Sequence, residues 1–224
     1  MSDLHKFGRW RKRVLDQYNI KEFHYITDIS NIYSIYNHEM IFSRNEANEK
    51  LDGKFKDWSN HSVQDLRDKE IIVSGGKKVN GHDVVPLFFN ANNPTLHVKS
   101  VADQWRNLAI ISIGTTVVFD PNVEIAFSNG NFARQDTPQH HDLNKLNNLD
   151  WNIIYGKNEE ALLPSNPGYE NYKTKRSSEF FIYPSIKKQW IKKIYVSENS
   201  SLNRVNKILE NRAASASINK NIFS

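Results

Sequence analysis

The chain has 224 residues, with 30 Lys and Arg against 25 Asp and Glu, no Cys, 38% hydrophobic residues and 12% aromatic residues. This length suits a single domain over residues 1–224, and the apolar content is too high for a disordered chain. The lack of cysteine excludes disulfides, thiolate zinc sites and a cysteine nucleophile. No stretch approaches the roughly 18 apolar residues that span a bilayer, and the first 17 residues lack the apolar centre of a secretion signal. We therefore expect a soluble, cytoplasmic protein with no membrane partner.

The positive charge is concentrated in the C-terminal third of the chain. Residues 1–150 carry 18 basic and 19 acidic side chains, whereas residues 151–224 carry 12 and 6. Aromatic residues are interspersed among the cations there, and a smaller basic cluster surrounds Trp10. This mixture suits a polyanion whose bases stack on aromatic rings, such as single-stranded nucleic acid. Charge alone leaves open a solvated basic surface that binds no ligand.

The first half of the chain contains helix and strand patterns on either side of a polar segment. These patterns predict a basic helix over 8–19 within a basic N-terminal segment 1–20, a strand over 20–27, and a helix from the N-cap Ser30 to about residue 38. Residues 43–82 are polar and contain several glycines, with one helical turn from Val63 to Arg67. We interpret them as a functional covering loop. The strand predicted over 82–89 contains Pro86, which favours an edge or a bulge.

The second half is richer in strand patterns, which predict strands over 108–113, 115–119, 125–127, 179–183 and 190–196. Leu143, Leu146 and Leu149 form an apolar helical stripe that we expect to pack in the core. Residues 156–178 are interpreted as a second polar loop, 199–212 as a helix, and 213–224 as a tail that frays. Runs of strands with helices at the ends predict an α+β fold.

Histidine and glycine motifs give little support for a metal or phosphate site. His140 and His141 are adjacent, so on a strand they point to opposite faces, and no partner lies at ligand spacing. His82 and Asp83 are similar to the paired ligands of metal-dependent HD phosphohydrolases, but here they lead into an apolar strand rather than lying on a helix. We expect them to hold a loop by hydrogen bonds. The pair Gly75 and Gly76 lacks the spacing of a phosphate-binding loop.

Glu179 is the carboxylate in the most unusual position. It opens an apolar strand directly after a basic, aromatic segment, and alternation puts Glu179, Phe181 and Tyr183 on one face of that strand. A carboxylate at a strand end can bind a sugar hydroxyl and stabilise an oxocarbenium-like transition state. The alternative is a structural charge paired with Arg176.

Several segments, taken in chain order, resemble the DarT family of DNA ADP-ribosyltransferases. The combination of the HDVVPLFFNANNP block with KRSSEF after the second polar segment is the most specific part of the likeness. The resembling segments run from about residue 23 to about residue 196: they are FHYITDISNIYSI (23–35), QDLRDKEIIV (64–73), HDVVPLFFNANNPTL (82–96), VEIAFSNGNFA (123–133), LNNLDWNIIYG (146–156) and KRSSEFFIYPSI (175–186).

The resemblance implies the split β-sheet core of ADP-ribosyltransferases with flanking helices. It also implies cleavage of NAD at its nicotinamide bond, transfer of ADP-ribose to a base of single-stranded DNA, and no metal. Members of this family act as toxins, usually beside an antitoxin macrodomain protein that removes the modification. Thymine and guanine both serve as acceptors in the family.

The resemblance assigns roles residue by residue. Glu179 matches the catalytic glutamate, and Arg67 matches the arginine that touches NAD and assists at the acceptor base. The NAD-binding positions are Tyr25, Ile26, Thr27, Ser34, Phe42 and Arg67. An NAD-covering element would span about 47–69, and a substrate loop about 131–179. Because an arginine is too basic to accept a proton, we expect the Arg67 guanidinium to stabilise a developing base anion.

Nucleic-acid contacts are expected at Lys173, Lys175 and Arg176, and at Asn131. Two positions depart from the family pattern: Tyr25 stands where the NAD tripeptide commonly begins with His, and Asn131 ends a turn that commonly is Thr-Asp-Gly-His. The sequence therefore leaves two alternatives open besides the enzyme acting on DNA. These are a non-catalytic module that binds single-stranded nucleic acid, and ADP-ribosylation of RNA or protein.

Overall fold

The computed structural model describes residues 3–57, 61–94, 96, 104–156, 164–210, 212 and 215–223. Its helices are α1 (Asp3–Gln17), α2 (Asn31–Asn37), α3 (Arg44–Lys50), α4 (His61–Arg67), α5 (Trp151–Ile154), α6 (Tyr169–Arg176) and α7 (Asn199–Ile208). Its strands are β1 (Glu22–Asp28), β2 (Met40–Ile41), β3 (Glu70–Ile72), β4 (Lys78–Asn80), β5 (Val85–Phe88), β6 (Leu108–Gly114), β7 (Glu124–Ser128), β8 (Gln139–His140), β9 (Glu179–Tyr183), β10 (Ile186–Lys187), β11 (Ile191–Val196) and β12 (Ala216–Ile218). None of the helices in these ranges is long and apolar enough to cross a membrane.

The central sheet has eight strands in the order β12-β11-β6-β1-β5-β9-β7-β8, and it is split between β1 and β5. A single register pair, His24 with Phe88, joins β1 to β5, whereas seven consecutive pairs join β1 to β6. Only β11 and β12 run parallel among the neighbouring pairs of this sheet. The α+β fold with a split sheet is therefore confirmed. The small pairs β2–β10 and β3–β4 lie outside the main sheet.

Pro86 lies inside the sheet rather than at its edge, so that expectation was wrong. Its strand β5 pairs with β9 over its whole length and meets β1 only at Phe88. Because β5 has separated from β1 at Pro86, the missing N–H costs no ladder hydrogen bond on that side. The split in the sheet is what tolerates the proline.

Three phenylalanine rings pack together within the main core, which is otherwise mostly aliphatic. The rings of Phe23 and Phe180 stack with centroids 4.2 Å apart, and Phe89 packs edge-on at 5.9 Å from each. On the opposite face of the sheet, Phe181 belongs to a second cluster with Phe132. This arrangement confirms the alternation predicted for the strand that begins at Glu179, because Phe180 and Ile182 join the main cluster.

Residues 115–119 form a short 3₁₀ helix and not the predicted strand. The β-branched residues Val117 and Val118 favour a strand by propensity, but both are buried in the same cluster as Val14 and Leu15 of α1. The Arg11 guanidinium, also on α1, lies 3.4 Å from the Val118 carbonyl oxygen. Packing against α1 thus overrides local preference. Helix α1 begins at Asp3, before the residues 8–19 whose pattern predicts it.

The two segments interpreted as polar loops contain regular structure. Residues 43–82 hold α3, α4, β3 and β4, and residues 169–176 form α6. Both α3 and α6 are short, and each buries a single residue, so neither leaves a hydrophobic periodicity in the sequence. Residues 58–60 and 157–163, which belong to these two interpretations, lie outside the described residues.

The C-terminal segment, expected to fray, contains regular structure in its described residues 215–223. Strand β12 adds to β11 in parallel register, and Ile222 and Phe223 pack against a third apolar cluster that contains Leu108 and Ile110. The segment contains small residues and few apolar ones, so its sequence lacks the alternating apolar pattern that predicts a strand. The last helix is also shorter than predicted and ends at Ile208.

Two helical predictions hold in part. Leu143, Leu146 and Leu149 are buried as expected, but their spacing of three belongs mainly to a 3₁₀ helix over Leu143–Asn148. Ser30 occupies the N-cap position of α2 without capping it through its side chain. Instead, the Ser30 backbone N–H donates to Asp28 Oδ1 at 2.7 Å.

Candidate active site

Glu179 and Arg67 form a two-pronged ion pair in the interior. Arg67 Nη1 donates to Glu179 Oε1 at 3.1 Å, and Nη2 donates to Oε2 at 2.9 Å. The two side chains are 2% and 10% exposed respectively. Glu179 is the first residue of β9, and Arg67 is the last residue of α4, so a strand start and a helix end meet here. Planar guanidinium and carboxylate groups in this geometry fix each other's orientation.

A third donor completes the environment of Glu179. The backbone N–H of Phe132 donates to Glu179 Oε1 at 2.9 Å. Phe132 follows Asn131 in the turn after β7, whose Gly130 has a φ of +140°. The carboxylate is therefore held by three N–H groups from two separate parts of the chain.

A cavity of about 450 Å³ opens beside this pair, within the size range of small-molecule sites. Its wall brings together Tyr25, Ile26 and Thr27 of β1 with Phe42, Arg67 and Glu179, as expected from the resemblance. Asn131 also lines it. The wall further includes residues that were not expected to line an NAD site: Asn31, Ser43, Arg44, Gly81, His82, Val84, Pro86, Phe88 and Leu108.

Ser34 is not among the residues that line this cavity. It lies on α2, where its Oγ is 3.2 Å from His38 Nδ1. Phe42, by contrast, lines the cavity and lies beneath the Lys50 ammonium, 4.8 Å from the ring centroid.

Tyr25 presents a neutral hydroxyl. Burial raises the pKa of Tyr25 to about 12, although a side-chain hydrogen bond with Thr27 opposes the shift. Thr27 Oγ1 in turn accepts from Asn31 Nδ2 at 3.0 Å. The tyrosine is therefore a hydrogen-bond donor, and not an anion, throughout the physiological pH range.

The segment after α3 lines the cavity, and hydrogen bonds at Lys56 fix it to Asn31. Asn31 Nδ2 donates to the Lys56 carbonyl at 2.9 Å, and the Lys56 N–H donates to Asn31 Oδ1 at 2.8 Å. Lys56 Nζ also lies 3.3 Å from Asp28 Oδ2. Phe55, Lys56, Asp57, Val63 and Gln64, which fall within the element 47–69 expected to cover NAD, line the cavity.

The three cations expected to bind nucleic acid lie on α6, and they differ in exposure and partners. Lys173 is 41% exposed and bonds Glu170, whereas the Lys175 ammonium lies 3.5 Å from Asp150. Arg176 is directed inward, where it donates to the Tyr172 hydroxyl at 3.0 Å. Arg176 does not pair with Glu179, so the structural alternative for Glu179 was wrong about its partner, which is Arg67.

His82 and Asp83 make hydrogen bonds to neighbouring segments. His82 Nε2 lies 3.1 Å from the Gln64 carbonyl oxygen of α4. Asp83 accepts from Asn45 Nδ2 at 2.7 Å and from the Asn80 N–H at 2.9 Å. This confirms that the pair holds neighbouring loops. Across the described ranges, no three His, Cys, Asp or Glu side chains are grouped so as to hold a metal ion.

Sequence reasoning missed Phe132 and Gly81. A Cβ atom at Gly81 would lie 2.3 Å from the Arg67 carbonyl oxygen and 2.6 Å from Phe132 Cε1, so only glycine fits there. Phe132 lies within one of the resembling segments, but it contacts Glu179 through its backbone, which no side-chain pattern reveals.

Comparison with known proteins identifies the family of the chain. A family model described as "DarT: ssDNA thymidine ADP-ribosyltransferase, DarT" matches residues 24–223. Thermus sp. 2.9 DarT in complex with ADP-ribosylated ssDNA superposes with a TM-score of 0.76 at 19% identity, covering 92% of this chain and 97% of that chain. The same protein in complex with NAD⁺ gives 0.70 at 18% identity, with 92% and 98% covered.

A longer protein, Thermosipho africanus DarTG in complex with ADP-ribose, gives a TM-score of 0.72 at 21% identity, with 91% of this chain and 51% of that chain covered. A search of curated proteins gives no match. The family model covers nearly the whole chain, and the fold is that of the DarT structures. The chain therefore belongs to the DarT family of single-stranded-DNA ADP-ribosyltransferases, enzymes whose substrate is NAD.

Proposed function

We propose that this enzyme transfers ADP-ribose from NAD to thymine in single-stranded DNA and releases nicotinamide. The observation that carries the proposal is the buried Glu179 carboxylate, held by three N–H donors on the wall of a cavity beside Tyr25, Ile26 and Thr27. Thymine is favoured because the matching family is described as acting on thymidine.

The chemistry needs one bond to break and one to form at the same carbon. The bond between the ribose C1′ and the nicotinamide nitrogen breaks, and nicotinamide leaves with the electron pair. N3 of thymine, the only nitrogen of that nucleotide that carries a hydrogen, then forms a bond to C1′, and its proton passes to solvent water. The Glu179 carboxylate stabilises the positive charge that develops on the ribose, and it accepts a hydrogen bond from a ribose hydroxyl.

Arg67 and Asn131 would act on the acceptor base. The Arg67 guanidinium stabilises the negative charge that a deprotonated base carries, because its own pKa is too high for it to act as a base. Asn131 Oδ1 already accepts from the Ala133 N–H at 2.9 Å, which leaves its amide N–H groups to donate to a base carbonyl. Thymine has such a carbonyl on each side of N3.

Contacts to NAD and to the DNA backbone follow from the placement of the side chains. Tyr25, Ile26, Thr27 and Phe42 line the cavity and would contact NAD, with the segment around Lys56 closing over it. Lys173 and Lys175 lie on the exposed side of α6 and would contact phosphates of the strand. Arg176 would act indirectly, since its bonds to Tyr172, Asn92 and the Ile153 carbonyl hold α6 in place.

Labelled NAD and defined oligonucleotides test the proposal. We expect label on single-stranded DNA that contains thymine, and none on a matched strand without thymine, on duplex DNA or on RNA. Glu179→Gln should bind NAD without transferring label. Transfer to a thymine-free strand that contains guanine would overturn the choice of base, and transfer to RNA alone would overturn the choice of nucleic acid. Binding of DNA without any transfer would favour a non-catalytic module.

We further propose that the enzyme is a toxin opposed by a macrodomain antitoxin. The support is its likeness to DarTG, a protein about twice the length of the matched region. Induced expression in bacteria should arrest growth for the wild type and not for Glu179→Gln. Co-expression of an active DarG-type macrodomain should restore growth. Unimpeded growth with confirmed DNA modification would contradict the toxin role.

A further inference from the structure

We propose that Lys69 is a positioning residue for the transfer reaction, acting on Glu179 and Arg67 through the turn that contains Phe132. The inference rests on NAD cleavage by the family site and needs neither thymine specificity nor toxicity. Lys69 does not line the cavity, so it touches neither NAD nor the acceptor base by this route.

Lys69 ties the turn after β7 to the end of α4. Its Nζ donates to the Arg134 carbonyl oxygen at 2.8 Å and lies 4.5 Å from the centroid of the Phe132 ring. Its backbone N–H donates to the Arg67 carbonyl oxygen at 2.8 Å. Through one residue, therefore, the position of Arg67 is linked to the position of the turn.

The turn is closed by its own bonds, so it moves as a unit. Asn131 Oδ1 accepts from the Ala133 N–H, and the Asn131 carbonyl accepts from the Arg134 N–H at 3.1 Å and from Thr137 Oγ1 at 2.8 Å. Phe132 within this unit directs its N–H at Glu179 Oε1. A shift of the unit by a fraction of an ångström would lengthen that bond.

The Phe132 ring provides a second link between Arg67 and Lys69, because both cations lie over it. Arg67 lies over it, with the guanidinium carbon 5.2 Å from the centroid, and Lys69 lies over it at 4.5 Å. The Phe132 and Phe181 rings pack in a T-shaped arrangement, with their centroids 5.1 Å apart. Each cation attracts the π face of the ring, so removal of Lys69 loosens both the ring and the N–H that Glu179 needs.

The charges that face Lys69 come from several elements. Burial lowers the pKa of the Lys69 ammonium, the charge of Arg67 lowers it further, and Glu179 and Asp136 oppose the shift. Because the ammonium is the form that bonds Arg134 and attracts the ring, its loss at alkaline pH should weaken the positioning. A guanidinium at this position would keep its charge to higher pH.

The experiment compares three variants of the full chain in steady-state nicotinamide release with a single-stranded DNA acceptor. Lys69→Met removes the charge and the donor but keeps the length of the side chain. Lys69→Arg restores both. Lys77→Met is the matched control. Lys77 lies between β3 and β4, and its Nζ makes a similar contact, 4.2 Å from the centroid of the Tyr183 ring. Tyr183 is at the opposite end of β9 from Glu179. Thermal unfolding of each variant shows that it is folded.

We expect Lys69→Met to lower kcat by about 10- to 100-fold with the KM for NAD within about twofold, since positioning errors of this kind affect the transition state most. Lys69→Arg should recover most of kcat and keep it at a pH where the wild type declines. Lys77→Met should resemble the wild type. The proposal is overturned if Lys69→Met keeps its kcat, if it raises KM alone, or if Lys77→Met loses as much. Because nicotinamide release is the readout, these outcomes stay separate from the choice of acceptor base.

Discussion

Arg67 donates to both carboxylate oxygens of Glu179, although 112 residues separate the two in the chain. Both side chains are nearly inaccessible to solvent. Removing charges from water costs several kcal/mol per ion, and a buried pair recovers this cost only while both partners are present. The stability of the fold therefore depends on both residues that we propose to act in the reaction.

This dependence predicts a non-additive effect on stability. Arg67→Met should lower the free energy of unfolding by about 3–5 kcal/mol, because it leaves the Glu179 carboxylate buried without its counter-charge. The double variant Arg67→Met with Glu179→Leu should be more stable than Arg67→Met alone, since no isolated charge remains. Urea denaturation of both singles and the double measures this. Additive losses in the double variant would mean that the pair is not coupled as described.

The sequence pattern singles out Glu179 and the family resemblance singles out Arg67, but neither predicts that the two side chains pair. Glu179 stands out because β9 has a strict two-residue alternation, and this period also gave the correct strand bounds. Sequence proximity favoured Arg176 as its partner. In the fold, α6 directs Arg176 toward Tyr172, while the crossing of α4 brings Arg67 to the strand. Long-range packing of this kind leaves no local pattern.

The errors in the fold have a similar physical origin. Val117 and Val118 have strand propensity, yet their burial against α1 decides the conformation. Short polar helices such as α3 and α6 have no apolar stripe to predict them. Phe132 and Gly81 act through a backbone N–H and through the absence of a Cβ, and neither property is a side-chain signal.

Gly81 should be intolerant of the smallest substitution. In Gly81→Ala the new Cβ would meet the Arg67 carbonyl oxygen and the Phe132 ring, so both supports of Glu179 must shift. We expect a loss of about 1–3 kcal/mol of stability, typical of overpacking, together with a larger relative loss of kcat. Gly168→Ala is the control, because its Cβ would meet only the end of the Asn166 side chain, at 3.1 Å. Thermal unfolding and nicotinamide release give both quantities. Full activity of Gly81→Ala would show that this contact is not needed.

The cations of α6 should separate into two classes when DNA binding is measured against salt. Lys173→Gln and Lys175→Gln should each reduce the slope of log affinity against log salt by about 0.7, the value for one phosphate contact on a single strand. Arg176→Gln should instead lower the unfolding temperature, because its bonds to Tyr172 and Asn92 are internal. Fluorescence anisotropy over a range of NaCl concentrations measures the slopes. An unchanged slope for both lysine variants would place the strand elsewhere.

Tyr25 should act as a neutral donor in NAD binding. Because burial raises the pKa of Tyr25 to about 12, its hydroxyl does not ionise between pH 7 and 9, and the rate should show no change with pH from this group. Tyr25→Phe removes one hydrogen bond, and we expect the KM for NAD to rise by about 3- to 10-fold with kcat little changed. The exposed Tyr33 on α2 provides the control Tyr33→Phe. A fall in kcat without a change in KM would assign Tyr25 to the reaction itself.

His24 should make the fold sensitive to acid. It lies on β1, 9% exposed, and its Nδ1 has no hydrogen-bond partner in the described part of the chain. Burial lowers the pKa of His24, although the charge of Glu22 opposes the shift. The unfolded chain binds a proton at this position near pH 6.5, and the folded chain only at lower pH. Between these values the unfolded state holds more protons, so stability falls as the pH is lowered, by up to about 1.4 kcal/mol per pH unit.

The test compares unfolding at pH 8 and at pH 5.5 for the wild type and for His24→Leu. The variant removes the buried imidazole, so it should lose less stability than the wild type on acidification. The exposed His141 lies away from the core, and His141→Leu should follow the wild type. Parallel losses in the wild type and in His24→Leu would mean that another group, and not His24, takes up the proton on unfolding.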